Sequence, residues 1–175
     1  MFGSLSSIGT VHLVFALVAM SAGLMVVLMQ KGTRLHRTLG HIYVTSMLGV
    51  NVTALCIYRL FGHFGVFHVL AFVSLIGVIS GVAHAVTRRP RDTWLKHHRS
   101  AILWSYTGLL AAFTAEVAVR VVRTKFWYMV IIPSLLVTFV AWILIEKDAD
   151  AKLKRAMRGK KPDTEKRALE GISEI

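Results

Sequence analysis

Histidine is the residue type with which this sequence could do chemistry. Eight histidines occur among its 175 residues, and they alternate along the chain between two groups. One group comprises His12, His63 and His68, and the other comprises His36, His41, His84, His97 and His98. An imidazole ligates haem iron or a transition metal and titrates near neutral pH. The two groups are therefore the first candidates for a functional site.

The histidines recur within a repeated segment. His12 and His68 each lie near the start of an apolar stretch with small residues, and a basic segment with a His-Arg pair, at His36 or His98, follows each stretch. A tyrosine follows each of these two histidines by seven or eight residues. Parallel repeats in membrane proteins are related by a pseudo-two-fold axis along the membrane normal. The repeat predicts an outer pair, His12 and His68, and an inner pair, His36 and His98, for which His41, His84 and His97 are alternative members.

Three chemical interpretations fit these pairs. Two imidazoles on opposite faces of a flat ring bind haem b in a four-helix bundle, so a pair at each membrane surface predicts bis-histidine haem b sites for transmembrane electron transfer. Alternatively, His12, His68 and Glu116 offer imidazole and carboxylate ligands for binding or transport of zinc or copper. Glu116 also lies four residues before Arg120 on one helix face, where an ion pair alone would explain it. In the third interpretation the chain is a structural or assembly subunit, and no histidine binds a cofactor.

The elements that must position these residues are membrane helices. Hydrophobic residues make up 55% of the chain and charged residues 17%, and uncharged stretches of about 20 residues match the hydrocarbon core of a bilayer. We expect an all-α integral membrane helix bundle in the lipid bilayer, with five spans and a four-helix core built from a duplicated hairpin. The predicted bundle covers residues 1–145, with spans at about 8–29, 41–58, 64–86, 101–119 and 126–145. Within the second span, Asn51 and Thr53 are expected to form interhelical hydrogen bonds.

The basic residues that give the net charge of +12 are distributed unevenly between the two sides of the predicted membrane protein. With five spans, 17 Lys and Arg residues fall on one side of the membrane and 4 on the other, which predicts an N-terminus outside and a C-terminus in the cytoplasm. Because no basic patch is separate from a membrane flank, nucleic-acid binding is not expected. Residues 146–175 alternate in charge sign and are predicted to form a charged cytoplasmic tail beside the lipid headgroups.

Several of these segments resemble an uncharacterised family of bacterial multi-helix membrane proteins that is defined by a domain of unknown function. The most specific stretch reads His-Arg-x-x-Gly-x-x-Tyr and begins at His36. The resemblance also rests on His12 and on the runs 64–68 and 94–99, and it covers roughly residues 8–123. It implies a four-helix core to which the fifth helix is added, and no known reaction. The bacterial family leads us to expect a location in the inner (plasma) membrane.

The layout of the histidines also resembles that of ascorbate-dependent di-haem b-type cytochromes, in which alternate helices hold each haem. The sequence contains no Gly-x-Ser-x-Gly motif, no phosphate-binding glycine loop and no paired carboxylates, so the usual hydrolytic and phosphoryl-transfer classes are not expected. Any catalysis is therefore expected to be electron transfer by a membrane oxidoreductase, with a quinone or another redox partner.

Overall fold

The described part of the chain is mostly helical. The computed structural model describes residues 6–57, 64–121 and 125–147. The helices in these ranges are α1 (Ser7–Leu28), α2 (Arg34–Leu55), α3 (Val66–Thr87), α4 (Trp94–Val121) and α5 (Phe126–Lys147). No strand occurs in the described residues, and the predicted all-α helical membrane bundle is confirmed.

Four of the described helices, α1, α3, α4 and α5, have the length and the apolar composition needed to cross a bilayer. Large apolar side chains such as Val73 and Ile76 on α3 point outward, as they do where lipid rather than water surrounds a helix. α2 has the same length as α1 but is more polar, because its first turns carry two arginines and two histidines and its buried residues include Ser46 and Asn51. The count of five spans and the orientation of the termini stay predictions.

Two helices begin earlier than the sequence predicted. α2 begins at Arg34 and α4 at Trp94, so the second part of each basic segment expected to be a connection forms the first two turns of a helix. The Thr33 side chain caps α2 by accepting a hydrogen bond from the His36 backbone N–H at 3.0 Å. A hydropathy count ends a span at its first charged residues, whereas helical hydrogen bonding continues into the polar interface, which explains the difference.

The first compact unit of the chain, Met1–Ser134, contains a ring of four helices. α1 packs on α2, α2 on α3, α3 on α4, and α4 returns to α1. The hairpins α1–α2 and α3–α4 are the most closely packed pairs, and the seam between α1 and α4 is the loosest. As a result α1 lies diagonally opposite α3, and α2 lies diagonally opposite α4. Antiparallel packing of successive helices makes each diagonal pair parallel.

Small residues on α1 allow the ring to close. Ala19, Ala22 and Gly23 are buried against the other helices. A Cβ at Gly23 would lie 2.5 Å from the Tyr106 ring and 3.0 Å from the Tyr43 ring, so only glycine permits this approach. The centre of the bundle is thus filled by two tyrosines, one from α2 and one from α4.

The second compact unit is Leu135–Ile175, of which residues 135–147 are described. They form the second part of α5, where the Phe139 and Trp142 rings lie 6.1 Å apart. Residues 148–175, which make up most of the predicted cytoplasmic tail, lie outside the described residues.

Candidate functional site

The histidines of the described residues lie toward the two ends of the helix ring. α1 and α3 begin at one end, termed the His12 end, and α2 and α4 begin at the other, termed the His36 end. His12 and His68 lie near the His12 end. The remaining described histidines lie at or near the His36 end: His36, His41, His84, His97 and His98. His63 lies outside the described residues.

His36 and His98 are brought to one level on the diagonal helices α2 and α4. The Tyr43 hydroxyl and the Ser105 hydroxyl form a hydrogen bond of 2.9 Å between these helices. His36 and His98 each precede their bonded residue by two helical turns, or about 10 Å along the axis. Two turns return a side chain to nearly the same face, so both histidines face the interior of the ring. Their imidazoles are also close enough to interact electrostatically.

His36 lies in the first turn of α2, before the predicted span. Its Nδ1 atom is buried and has no hydrogen-bond partner among the described residues. Burial lowers the pKa of His36 from its ordinary value of 6.5, and the charges of Lys31 and His98 lower it further. All three effects disfavour the imidazolium form, so the ring is neutral at pH 7.

His98 has a fixed tautomer. Its Nδ1–H donates to the Gly81 carbonyl of α3 at 2.8 Å, which leaves the lone pair on Nε2. A Cβ at Gly81 would lie 2.7 Å from the Ile102 side chain, so glycine lets α3 and α4 approach closely where this bond forms. A backbone carbonyl that orients an imidazole is the usual arrangement behind a ligating histidine.

His84 and His97 form a separate stack beside this pair. Their ring centroids lie 5.1 Å apart with an angle of 11° between the planes. The Nδ1–H of His84 donates to the Ser80 carbonyl at 2.7 Å, and that of His97 to the Thr93 carbonyl at 2.8 Å. His41 and His97 are exposed, which makes them weaker members of the predicted inner pair than His36 and His98.

At the His12 end, His12 bridges two neighbouring helices. Its Nδ1 lies 2.8 Å from the hydroxyl of Thr53 on α2. That hydroxyl donates to the Gly49 carbonyl at 2.6 Å, so it accepts from His12 and leaves the lone pair of the imidazole on Nε2. Thr53 therefore forms the expected interhelical hydrogen bond. For Asn51, the hydrogen bond found within the described residues is donated to the Met47 carbonyl of its own helix at 2.7 Å.

A cleft of about 150 Å³ lies between α1 and α4 at this end. His12 and Glu116 both line it, and the remaining lining residues are Gly9, Leu13, Ala16, Phe113, Val117 and Arg120. Glu116 and Arg120 form the ion pair expected from their spacing, and both side chains are about half exposed. The cleft is therefore mostly apolar, with one imidazole and one ion pair along it.

His68 lies elsewhere at the same end. It is 3% exposed, and its ring stacks on Phe64 at 4.9 Å. Its Nδ1 accepts a hydrogen bond of 3.1 Å from the Gly65 N–H. His68 is not among the residues that line the cleft, and the described residues contain no group of three His, Cys, Asp or Glu side chains that could hold a metal ion.

Three features of these sites lay beyond the sequence reasoning: the Ser105 hydroxyl that pins α2 to α4, the Gly81 carbonyl that orients His98, and the cleft. The cleft depends on which helices are neighbours, which the sequence does not show. A signal for Ser105 was present, because Ser105 follows His98 by the same seven residues that separate Tyr43 from His36.

Comparison with known proteins gives one result. The model of the family described as predicted membrane protein (DUF2306) matches residues 9–145. No curated protein and no solved structure matches the chain. The match extends over the four-helix ring and nearly all of α5 and confirms the expectation of an uncharacterised membrane family, whereas the likeness to di-haem cytochromes stays a prediction. The chain belongs to the DUF2306 family of predicted membrane proteins.

Proposed function

We propose that the protein is a membrane electron-transfer protein that binds haem b between His36 and His98. The observation that carries this proposal is the placement of the two residues at one level on α2 and α4. A flat ring that is ligated from both faces needs imidazoles on opposed elements, and the diagonal helices of a four-helix bundle provide them.

The chemistry of both imidazoles suits this role. The Gly81 carbonyl holds the Nδ1–H of His98, so that Nε2 offers a lone pair. No hydrogen bond among the described residues fixes the Nδ1 of His36, so the tautomer with its lone pair on Nε2 is open to this ring. Its lowered pKa favours the neutral form that ligation requires. Haem b supplies reversible one-electron chemistry when bound. The chain's part is to hold it from two sides and to orient the ligating nitrogens.

The predicted outer pair, His12 and His68, is not part of this proposal. The Gly65 N–H bonds to Nδ1 of His68, so the ring proton occupies Nε2, the nitrogen that usually ligates iron. His12 faces a cleft whose lining does not include His68. Zinc or copper held by both histidines and Glu116 is likewise not proposed, because no group of three such ligands occurs in the described part of the chain.

The test is a dithionite-reduced minus oxidised absorption spectrum of detergent-purified protein produced with ample haem. The wild type is expected to show a split Soret band and a sharp α-band. His36→Ala and His98→Ala are expected to lose both bands, whereas His12→Ala and His68→Ala keep them. A flat spectrum of the wild type, or bands that persist in the first two variants, would overturn the proposal.

Two variants separate ligation from folding. His98→Gln keeps a side-chain N–H that can donate to the Gly81 carbonyl but offers no imidazole, so it is expected to fold and to lose the bands. His97→Ala changes the adjacent, exposed histidine and is the matched control, with an unchanged spectrum. If His97→Ala loses the bands as His98→Gln does, the ligand assignment is wrong.

A further inference from the structure

We infer that the cleft between α1 and α4 at the His12 end binds the six-membered ring of a membrane-soluble quinone or quinol. The cleft is at the opposite end of the bundle from His36 and His98. Binding there is independent of whether a haem occupies the His36 end.

The size and position of the cleft suit such a ring. Its volume of about 150 Å³ is that of a cavity that admits one benzene-sized molecule. It lies in the loosest seam of the helix ring, and the lining side chains of Glu116 and Arg120 are 43% and 52% exposed. A ligand dissolved in the bilayer can therefore enter from the side of the bundle.

The walls of the cleft are apolar on both helices. Leu13 and Ala16 contribute from α1, and Phe113 and Val117 contribute from α4. Ala16 is buried, so its methyl group forms part of the floor. An aromatic side chain and three aliphatic ones enclose a flat apolar ring well, and a hydrocarbon tail can extend from the cleft along the helices.

The polar groups along the cleft match the oxygens of a quinone. Thr53 fixes the tautomer of His12, which leaves Nε2 as an acceptor for a quinol hydroxyl. The Arg120 guanidinium can donate to a quinone carbonyl. Its partner Glu116 cancels its charge, so the cleft favours a neutral polar ring over a phosphate or a carboxylate.

The experiment measures equilibrium binding of a decyl-tailed benzoquinone to the detergent-purified full chain. Val117→Trp places a large side chain in the cleft and is expected to weaken binding at least tenfold. Val121→Trp is the matched control: it lies one turn further along α4, is 67% exposed and does not line the cleft. The control is expected to bind as the wild type does.

A second variant tests the polar contact. His12→Phe keeps a ring of similar size and removes the acceptor, so the affinity is expected to fall by about tenfold. Decylbenzene, which has the same tail and no oxygens, is expected to compete poorly. If decylbenzene competes as well as the quinone does, or if Val117→Trp and Val121→Trp bind alike, the ligand only partitions onto apolar surface and the inference is overturned.

Discussion

Replacing Gly23 by alanine tests how the centre of the bundle is built. The added Cβ would lie 2.5 Å and 2.6 Å from two carbons of the Tyr106 ring and 3.0 Å from the Tyr43 ring. Neither ring can move freely, because the Tyr43 hydroxyl bonds to Ser105 at 2.9 Å and the Tyr106 hydroxyl donates to the Met20 carbonyl at 3.2 Å. α1 must therefore move away from both rings, or the tyrosines must give up their hydrogen bonds.

The expected change in the free energy of unfolding is the sum of opposing contributions. Overpacking of a filled core costs about 1–3 kcal/mol, and loss of one of the tyrosine hydrogen bonds adds about 1 kcal/mol. Alanine offsets about 1 kcal/mol of this through its higher helix propensity. The free energy of unfolding of Gly23→Ala is expected to fall by about 2 kcal/mol, measured by equilibrium unfolding in mixed detergent micelles.

Gly108→Ala is the matched control within α4. No atom lies within 4 Å of a Cβ added there, so only the gain in helix propensity remains, and the variant is expected to be as stable as the wild type or more stable by up to about 1 kcal/mol. Equal free energies of unfolding for the two variants would refute the close packing of Gly23 on the tyrosines.

Three further predictions concern single contacts. Tyr43→Phe and Ser105→Ala are each expected to lower the free energy of unfolding by about 1 kcal/mol, and the double variant should cost clearly less than the sum in the same unfolding assay, since both remove one bond. Because burial holds the pKa of His36 below its unfolded value of 6.5, the unfolded chain binds more protons below that pH. Stability is therefore expected to fall as the pH drops from 6.5 through the folded pKa, and a series of unfolding curves should show this dependence reduced in His36→Gln. Thr53→Val removes the hydroxyl that accepts from the His12 Nδ1–H, and this variant is expected to bind quinone more weakly. Thr53→Ser keeps both the hydroxyl and the affinity. Equal affinities of the two variants would contradict the role of Thr53 in orienting His12.

The helices themselves were predictable because their signal is local. Apolar stretches of the length of a span predicted α1, α3 and α5 with ends close to those observed. The first turns of α2 and α4 were missed for the same reason, since hydropathy marks the apolar region of a helix and not its hydrogen-bonded ends. α2 shows the limit of that signal, because the basic residues of its first turns and its buried polar residues together lower its hydropathy.

The histidine pairs were also predictable only in part. The repeat predicted His36 and His98 as a pair, and the structure places them at one level because helices of equal direction, joined at Tyr43 and Ser105, keep residues two turns away in register. The same repeat paired His12 with His68, yet the neighbours of each side chain differ. Thr53 orients one ring and the Gly65 N–H the other, and the repeat pattern contains neither contact.

By itself, the sequence determined that this is an all-α membrane protein of the DUF2306 family with histidines toward both ends of its helices, because composition, helix length and motif are properties of the chain read in order. Only the tertiary structure decided which helices lie side by side. This arrangement makes α1 and α4 neighbours and creates the cleft that His12 and Glu116 both line. It also sets the hydrogen bonds that decide which imidazole nitrogen keeps its lone pair, since these partners come from helices far apart along the chain.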